Sequence, residues 1–283
     1  MTVDVIAACA AAIAERLGDG GVMYALTGAG ISRESGVPTY RGLDGVWSKV
    51  PEEIATPETL HQEPELFWEF HDALRQMLVT AEPNAAHVAL AEMEEGLAGD
   101  AWHRRPACEG GTSVNTGRRD ACPTRSPATR EFAVVTQNID GLHQAAGSRK
   151  VIELHGNATR NYCTACHLQY PDLPSPLLSL PPRCQCGGLI RPDVVLFNEN
   201  LPVDALTEAD RLASAADVVL VIGTSALVYP AAQFPLITWQ NGGLLVEVNP
   251  EATGLSDLAA HRLRGPAGTS LPALWAALEP LVR

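Results

Sequence analysis

Four cysteines stand in two close pairs, Cys163 with Cys166 and Cys184 with Cys186, and seventeen residues lie between the pairs. Two near thiolate pairs are the ligand set of a tetrahedral zinc site. Sulfur takes every position, so none stays open for water, and the metal would be a structural staple and not a catalytic centre. Pro171, Pro174, Pro176, Pro181 and Pro182 make the intervening stretch too irregular to hold itself together without metal. A second constellation is glycine: Gly28-Ala29-Gly30 follows an apolar run, and such a turn lets a diphosphate approach the backbone. An ordinary dehydrogenase is disfavoured, because Arg33 stands where a dinucleotide fingerprint wants its third glycine and no acidic residue closes a second strand at the usual distance. The third is His155, at the end of another apolar run and before Gly156. Imidazole exchanges protons near neutral pH, as a general base must.

Such residues need elements to hold them. Val22–Thr27, Phe132–Thr136, Val151–Leu154, Val194–Phe197, Val218–Ile222 and Leu244–Val248 are short runs rich in Val, Ile and Leu that do not alternate with polar residues. They suit strands of a parallel sheet covered on both faces. Helix-compatible stretches, Val5–Leu17, Glu65–Val79 and Ala85–Leu97, lie before or between them. The fold class expected is therefore α/β, an open Rossmann-like parallel sheet. Five runs end in polar or glycine-rich clusters: Gly28-Ala29-Gly30, Gln137-Asn138-Ile139-Asp140, His155-Gly156, Gly223-Thr224-Ser225 and Asn249-Pro250. In open α/β sheets the ligand crevice lies outside the carboxyl ends of the strands, so five clusters on one rim imply a large, extended ligand.

The formal net charge of −13 sets an acidic surface that repels nucleic acid and anionic membrane, and neither is expected as a partner. The uncharged run Val218 to Ile237 is long enough to cross a bilayer, but Gly223, Pro230 and Pro235 break it into a strand, a loop and a helix start. Ile6-Ala7-Ala8-Cys9 looks superficially like a lipoprotein cleavage box, yet Asp4 stands where a basic region belongs. Seven cysteines, an odd number with four clustered and no secretory signal, point to metal binding in a reducing compartment, and a cytoplasmic protein is expected. Ala101 to Arg130 is rich in arginine and carries Pro106, Pro123 and Pro127 with almost no apolar periodicity, which predicts a flexible insertion.

Gly28-Ala29-Gly30-Ile31-Ser32 and Ser35-Gly36-Val37-Pro38-Thr39-Tyr40-Arg41 look like the nucleotide-loop signature of sirtuins. Thr136-Gln137-Asn138-Ile139-Asp140-Gly141-Leu142-His143, His155-Gly156, Gly223-Thr224-Ser225, Val246-Glu247-Val248-Asn249-Pro250-Glu251 and Gly265-Pro266-Ala267-Gly268 resemble that family's later motifs, in order. The resemblance implies an NAD-dependent protein-lysine deacylase that cleaves the nicotinamide–ribose bond and moves the acyl group to ADP-ribose. By the same match His155 is the catalytic base, and Asn138 with Gln137 holds the nicotinamide ribose and orders water. Ile139 and Asp140 receive the carboxamide. Tyr40, Arg41 and Trp47 belong to the loop region over that ribose, with Tyr40 in place of the more usual phenylalanine. Gly28, Ala29, Gly30, Gly223, Thr224 and Ser225 meet diphosphate and ribose, and Asn249 and Ala267 lie near the adenosine.

Ala55-Thr56-Pro57, Phe67-Trp68-Glu69-Phe70 and Glu82-Pro83-Asn84 look like the sirtuin branch that removes succinyl and malonyl groups. That branch binds the acyl carboxylate with a tyrosine and an arginine. Aligning on Trp68-Glu69-Phe70 places His71 and Leu74 there, and Leu74 cannot pair with a carboxylate. Neutral acyl groups, acetyl or longer, are therefore expected. Val195 and Phe197 belong to the strand that pairs with an acyl-lysine peptide, where Leu196 and Asn198 depart from the family pattern. The domains expected are an NAD-binding unit (1–45, 132–160 and 190–283), a helical module (46–100), the insertion (101–131) and a zinc-binding unit (161–189). Two other readings stay open, an ADP-ribosyltransferase or NAD hydrolase on the same scaffold and a non-catalytic NAD-binding module. The oligomeric state is left open.

Overall fold

The computed structural model describes residues 3–40, 45–98 and 130–283. Arg41 and nearly all of the arginine-rich insertion lie outside the described residues. Six parallel strands form the main sheet: β1 (Val22–Thr27), β2 (Glu131–Thr136), β3 (Val151–Glu153), β6 (Val218–Ile222), β7 (Leu244–Val248) and β8 (His261–Leu263). Their spatial order is β3-β2-β1-β6-β7-β8, the doubly wound order of a Rossmann sheet, with the switch point between β1 and β6.

The strands read as unbroken apolar runs because both faces are covered. Met23 and Ala25 of β1, Phe132 and Val134 of β2 and Val218 and Leu220 of β6 face α1 (Val3–Leu17), α4 (Ala85–Ala98) and α8 (Ala267–Val282). The alternate residues Tyr24, Leu26, Ala133, Val135, Val219 and Val221 face α6 (Val203–Ala215) and α7 (Gln233–Gln240). The run Val218 to Ile237 is thus β6, a loop and the start of α7. Among the described residues no helix is long and apolar enough to cross a membrane.

The run Val194–Phe197 does not join this sheet. Only Val194 belongs to a strand, β5 (Ile190–Val194), which pairs antiparallel with β4 (Gly156–Cys163) in a sheet of two. Past Val194 the backbone amides are spent elsewhere: Val195 N–H donates to the His155 carbonyl at 2.9 Å and Phe197 N–H to the Ala55 carbonyl at 2.9 Å. Asn198, at φ 69°, then turns the chain.

The β4-β5 hairpin, α2 (Pro57–Gln62) and α3 (Pro64–Val79) share one core, in which Leu60, Phe67, Trp68 and Leu74 pack with Ala158, Cys163, Cys184, Ile190 and Leu196. Trp68 Nε1 donates to the Ile190 carbonyl at 2.9 Å. Buried Arg75 pairs with Asp72 at 3.1 Å and donates to the Leu173 carbonyl at 3.0 Å, while Asp72 accepts from Leu177 N–H at 3.1 Å. The proline-rich stretch therefore leans on α3 as well as on the cysteine cluster.

At the switch point the two loops touch backbone to backbone. Gly30 N–H donates to the Gly223 carbonyl at 2.8 Å, and a Cβ on Gly30 would lie 2.7 Å from Gly223 Cα. Gly223 has φ 57°, and its own Cβ would lie 2.4 Å from Ile31 N. These glycines serve the contact between two strand ends as much as any approach by a ligand. Gly223→Ala combines left-handed strain with this clash, so urea unfolding should register a loss of at least about 2 kcal/mol.

Candidate active site

All six strands run the same way, so their carboxyl ends form one rim. All five polar clusters are stitched together along it by hydrogen bonds. Gln137, after β2, donates through Nε2 to Thr224 Oγ1 after β6 at 3.1 Å, and Asn249, after β7, donates through Nδ2 to the Thr224 carbonyl at 3.0 Å. Ser225, next to Thr224, is exposed. Gly28 is buried against Thr224, and Ala29 begins the turn of 3-10 helix at 29–35. Ala267 opens α8, and the next amide, Gly268 N–H, donates to Glu34 of that turn at 2.7 Å.

His155 lies beyond β3. Its Nδ1 is 2.9 Å from the Gln137 carbonyl, and a carbonyl only accepts, so Nδ1 carries the proton and Nε2 is left with a free lone pair. Burial pushes the imidazole below the usual histidine value of 6.5, opposed by that same hydrogen bond to Gln137. A neutral ring whose Nε2 keeps its lone pair is the form in which an imidazole can accept a proton.

Behind it runs a buried polar chain. Ser32 Oγ donates to Asp140 Oδ2 at 2.6 Å and accepts from Asn138 Nδ2 at 3.1 Å, and Asp140 Oδ1 accepts from Leu142 N–H at 3.0 Å. His87 Nε2 stands 3.4 Å from the same Ser32 oxygen. His87 is held by the start of α4, where Asn84 Oδ1 accepts from Ala86 N–H at 2.9 Å and His87 Nδ1 accepts from Asn84 N–H at 3.2 Å. His143 packs edge to face on His87 and lies 2.9 Å from Thr27 Oγ1. Burial lowers His87 to about 4 and His143 to about 3. Ser32 and His87 were not singled out as site residues from sequence. Ser32 lay inside the glycine-loop motif and Asn84-Ala85-Ala86-His87 has the look of a helix start, which was the available signal.

An aromatic wall includes Phe197, two residues from the Val195 that bonds His155. Trp47 stacks on Tyr40 with ring centroids 5.9 Å apart, meets Phe197 edge-on at 5.2 Å and Phe70 at 5.6 Å. Burial, and then the charge of Asp140, raise the Tyr40 phenol above its usual value, so it stays a neutral donor. Half-buried Val195 is tied to His155 by its amide. His71 and Leu74 sit deeper: His71 stacks on Phe67 at 3.9 Å and reaches the wall through Phe70, and Leu74 packs in the core shared with Leu196. Burial lowers His71 to about 4. Half-buried Ile139 accepts from Ala158 N–H through its carbonyl at 2.8 Å.

The sulfurs of Cys163, Cys166, Cys184 and Cys186 all lie within 4.8 Å of one another, with Cys163 to Cys186 at 3.5 Å and Cys166 to Cys184 at 3.6 Å. Four thiolates on zinc, each about 2.3 Å from the ion, stand about 3.8 Å apart at tetrahedral corners. The cluster fits that ion. His167 turns the first knuckle at φ 59° and Gly187 the second at φ 86°.

The pattern of the Sir2 family matches residues 28–100 and 124–230. The chain belongs to the Sir2 family. An NAD-dependent protein deacylase of Aquifex aeolicus is 43% identical over 252 residues, covering 88% of this chain and 92% of that one. The deacylase of Pyrococcus furiosus is 44% identical over 270 residues, covering 93% and 95%. Among solved structures, a Sir2 homologue in complex with NAD superposes with a TM-score of 0.78 at 37% identity, over 96% of this chain and 94% of that one. A Sir2 mutant with a deacetylated peptide and 3'-O-acetyl ADP-ribose gives 0.75 at 37% identity, over 92% and 95%.

His71, His87 and His143 are held neutral, below the value of about 6.5 that they regain on unfolding. The unfolded chain therefore binds more protons between those values, and stability present above pH 6.5 is lost as pH falls toward 4. Urea unfolding should find a loss on the order of 1 kcal/mol per histidine at pH 5.5 relative to pH 7.5, and His143→Asn should flatten the slope. Chelation should release one zinc per chain and expose 164–189 to protease, with metal content and peptide mapping as readouts.

Proposed function

We propose that this chain is an NAD-dependent protein-lysine deacylase whose base is His155. The carrying observation is the hydrogen bond from Nδ1 to the Gln137 carbonyl, which leaves the Nε2 lone pair free at the end of a strand of the polar rim. NAD supplies the activated nicotinamide–ribose bond and the ADP-ribose that accepts the acyl group. The chain's own part is to bind, orient and move protons.

Gly28, Ala29, Gly30, Gly223, Thr224 and Ser225 line the diphosphate and its ribose, with Asn249 and Ala267 at the adenosine end. Gln137 and Asn138 hold the nicotinamide ribose. Asn138 is fixed by Ser32, so its amide is aimed before any ligand arrives. Ile139 and Asp140 receive the carboxamide, and the Asp140 oxygens keep acceptor capacity beyond the bonds from Ser32 and Leu142. Tyr40 and Trp47 cover the site, with Arg41 beside them in sequence. His155 Nε2 takes the proton of a ribose hydroxyl as it becomes the nucleophile. Zinc on Cys163, Cys166, Cys184 and Cys186 holds the β4-β5 hairpin and takes no part in the chemistry.

Val195 and Phe197 form the wall for an acyl-lysine peptide, with His71 and Leu74 behind it. The two guanidiniums that flank α3 are committed: Arg75 to Asp72 and the Leu173 carbonyl, Arg191 to both oxygens of Glu199 at 2.6 and 2.9 Å. Neither is offered to an acyl carboxylate, and a neutral acyl group, acetyl or longer, is the preferred cargo. The absence of disulfides among the described residues and the acidic charge suit a reducing, cytoplasmic setting without nucleic acid.

His155→Ala should abolish turnover and leave NAD binding largely intact. The acid limb of kcat/KM should lie below pH 6.5, since activity needs the neutral ring and burial lowers its pKa. Nicotinamide release that ignores an acyl-lysine peptide would make the chain an NAD hydrolase or ADP-ribosyltransferase instead. In a peptide panel acetyl-lysine should exceed succinyl-lysine in kcat/KM by at least about tenfold, and comparable values would refute the neutral preference.

A further inference from the structure

Glu247 lies in the middle of β7, paired in register with Val221 on one side and Arg262 on the other, and it is completely buried. A carboxylate there is costly unless donors surround it. They do. Ser256 Oγ lies 2.8 Å from Oε2, Arg264 Nη1 lies 2.6 Å from the same oxygen, and Thr253 Oγ1 donates to Oε1. Ser256 Oγ in turn accepts from Thr253 N–H at 2.8 Å and from Arg264 Nη2 at 2.9 Å.

The arginine does more than neutralise the charge. Its Nη1 also donates to the Glu251 carbonyl at 2.7 Å and the Asn249 carbonyl at 3.3 Å. Arg264 is the residue before Gly265-Pro266-Ala267, the entry to α8. One buried carboxylate thus gathers the loop after β7 and the segment that opens α8. From Asn249 the chain of bonds continues through its Nδ2 to the Thr224 carbonyl, and from Thr224 Oγ1 to Gln137.

We propose that Glu247 and Arg264 are a positioning pair for the adenosine end of NAD, setting the gap between the 249–251 loop and the 265–267 segment. The inference rests on the reading that NAD lies along this rim. Neither residue touches the breaking bond. Their loss should act on binding of the part of the ligand shared by substrate and product, and so on KM for NAD, not on the chemical step.

The test is calorimetric titration of the intact zinc-loaded protein with NAD and with ADP-ribose, beside steady-state kinetics on an acetyl-lysine peptide. Arg264→Ala should raise both Kd values by the same factor, about tenfold, as expected for lost charge-assisted hydrogen bonds. The kinetic loss should fall on KM for NAD, and Arg264→Lys should recover part of it. Folding is checked by circular dichroism and zinc content. Should Arg264→Ala not fold, Ser256→Ala leaves the ion pair in place and should raise both Kd values about threefold. Unchanged affinities in a folded variant overturn the inference, as does a fall in kcat with KM intact. An unmodified chain that binds neither nucleotide overturns the NAD reading, and this inference with it.

Discussion

Six strands aligned in one direction must all finish on one edge, and everything described at the rim depends on that alignment. The register β3-β2-β1-β6-β7-β8 brings residues more than two hundred positions apart in the chain into one line. Each strand contributes only a short polar ending, too small to bind anything by itself. Their sum is a continuous hydrogen-bonded ledge, from the Gln137 carbonyl that fixes His155 to the Asn249 amide on Thr224. Helices on both faces keep the strands dry and leave water to the rim.

Much of this was legible in the sequence because apolar content and strand burial are tied together when both faces are covered. Val22–Thr27, Val218–Ile222 and Leu244–Val248 match their strands in full, and the other two runs of the large sheet match to within a residue. The three-residue β8 was missed, since so short an element has no period to detect. Val194–Phe197 misled because an apolar run fixes burial but not the partner strand, and its amides go to His155 and Ala55. The cysteine pairs were readable from spacing alone, because ligand geometry leaves few alternatives. Glu247 was opaque for the opposite reason: one acid inside Leu244–Val248 gives no hint that Thr253, Ser256 and Arg264 will surround it.

The zinc-fitting module is placed between two parts of the site. Strand β4 begins directly after His155, and β5 ends directly before Val195, so the excursion through the cysteine cluster leaves from His155 and returns two residues before Phe197 of the aromatic wall. The Val195 amide closes that circuit on the His155 carbonyl. Gly156, at φ 76°, makes the exit tight: a Cβ there would lie 2.1 Å from the Asp193 carbonyl oxygen. A zinc ion held by the four cysteines would thus help to set how His155 and the aromatic wall are spaced.

The contact of Gly28 and Gly30 with Gly223 has a consequence for attempts to retune this protein. Where Gly30 meets Gly223 the two loops are main chain against main chain, pressed together too closely to admit even a methyl group. Those two positions offer an engineer no side chain to exchange, and random mutagenesis at them will return mostly misfolded protein. Variation along this rim has to come instead from neighbouring side chains, such as Gln137, Thr224 and Ser225.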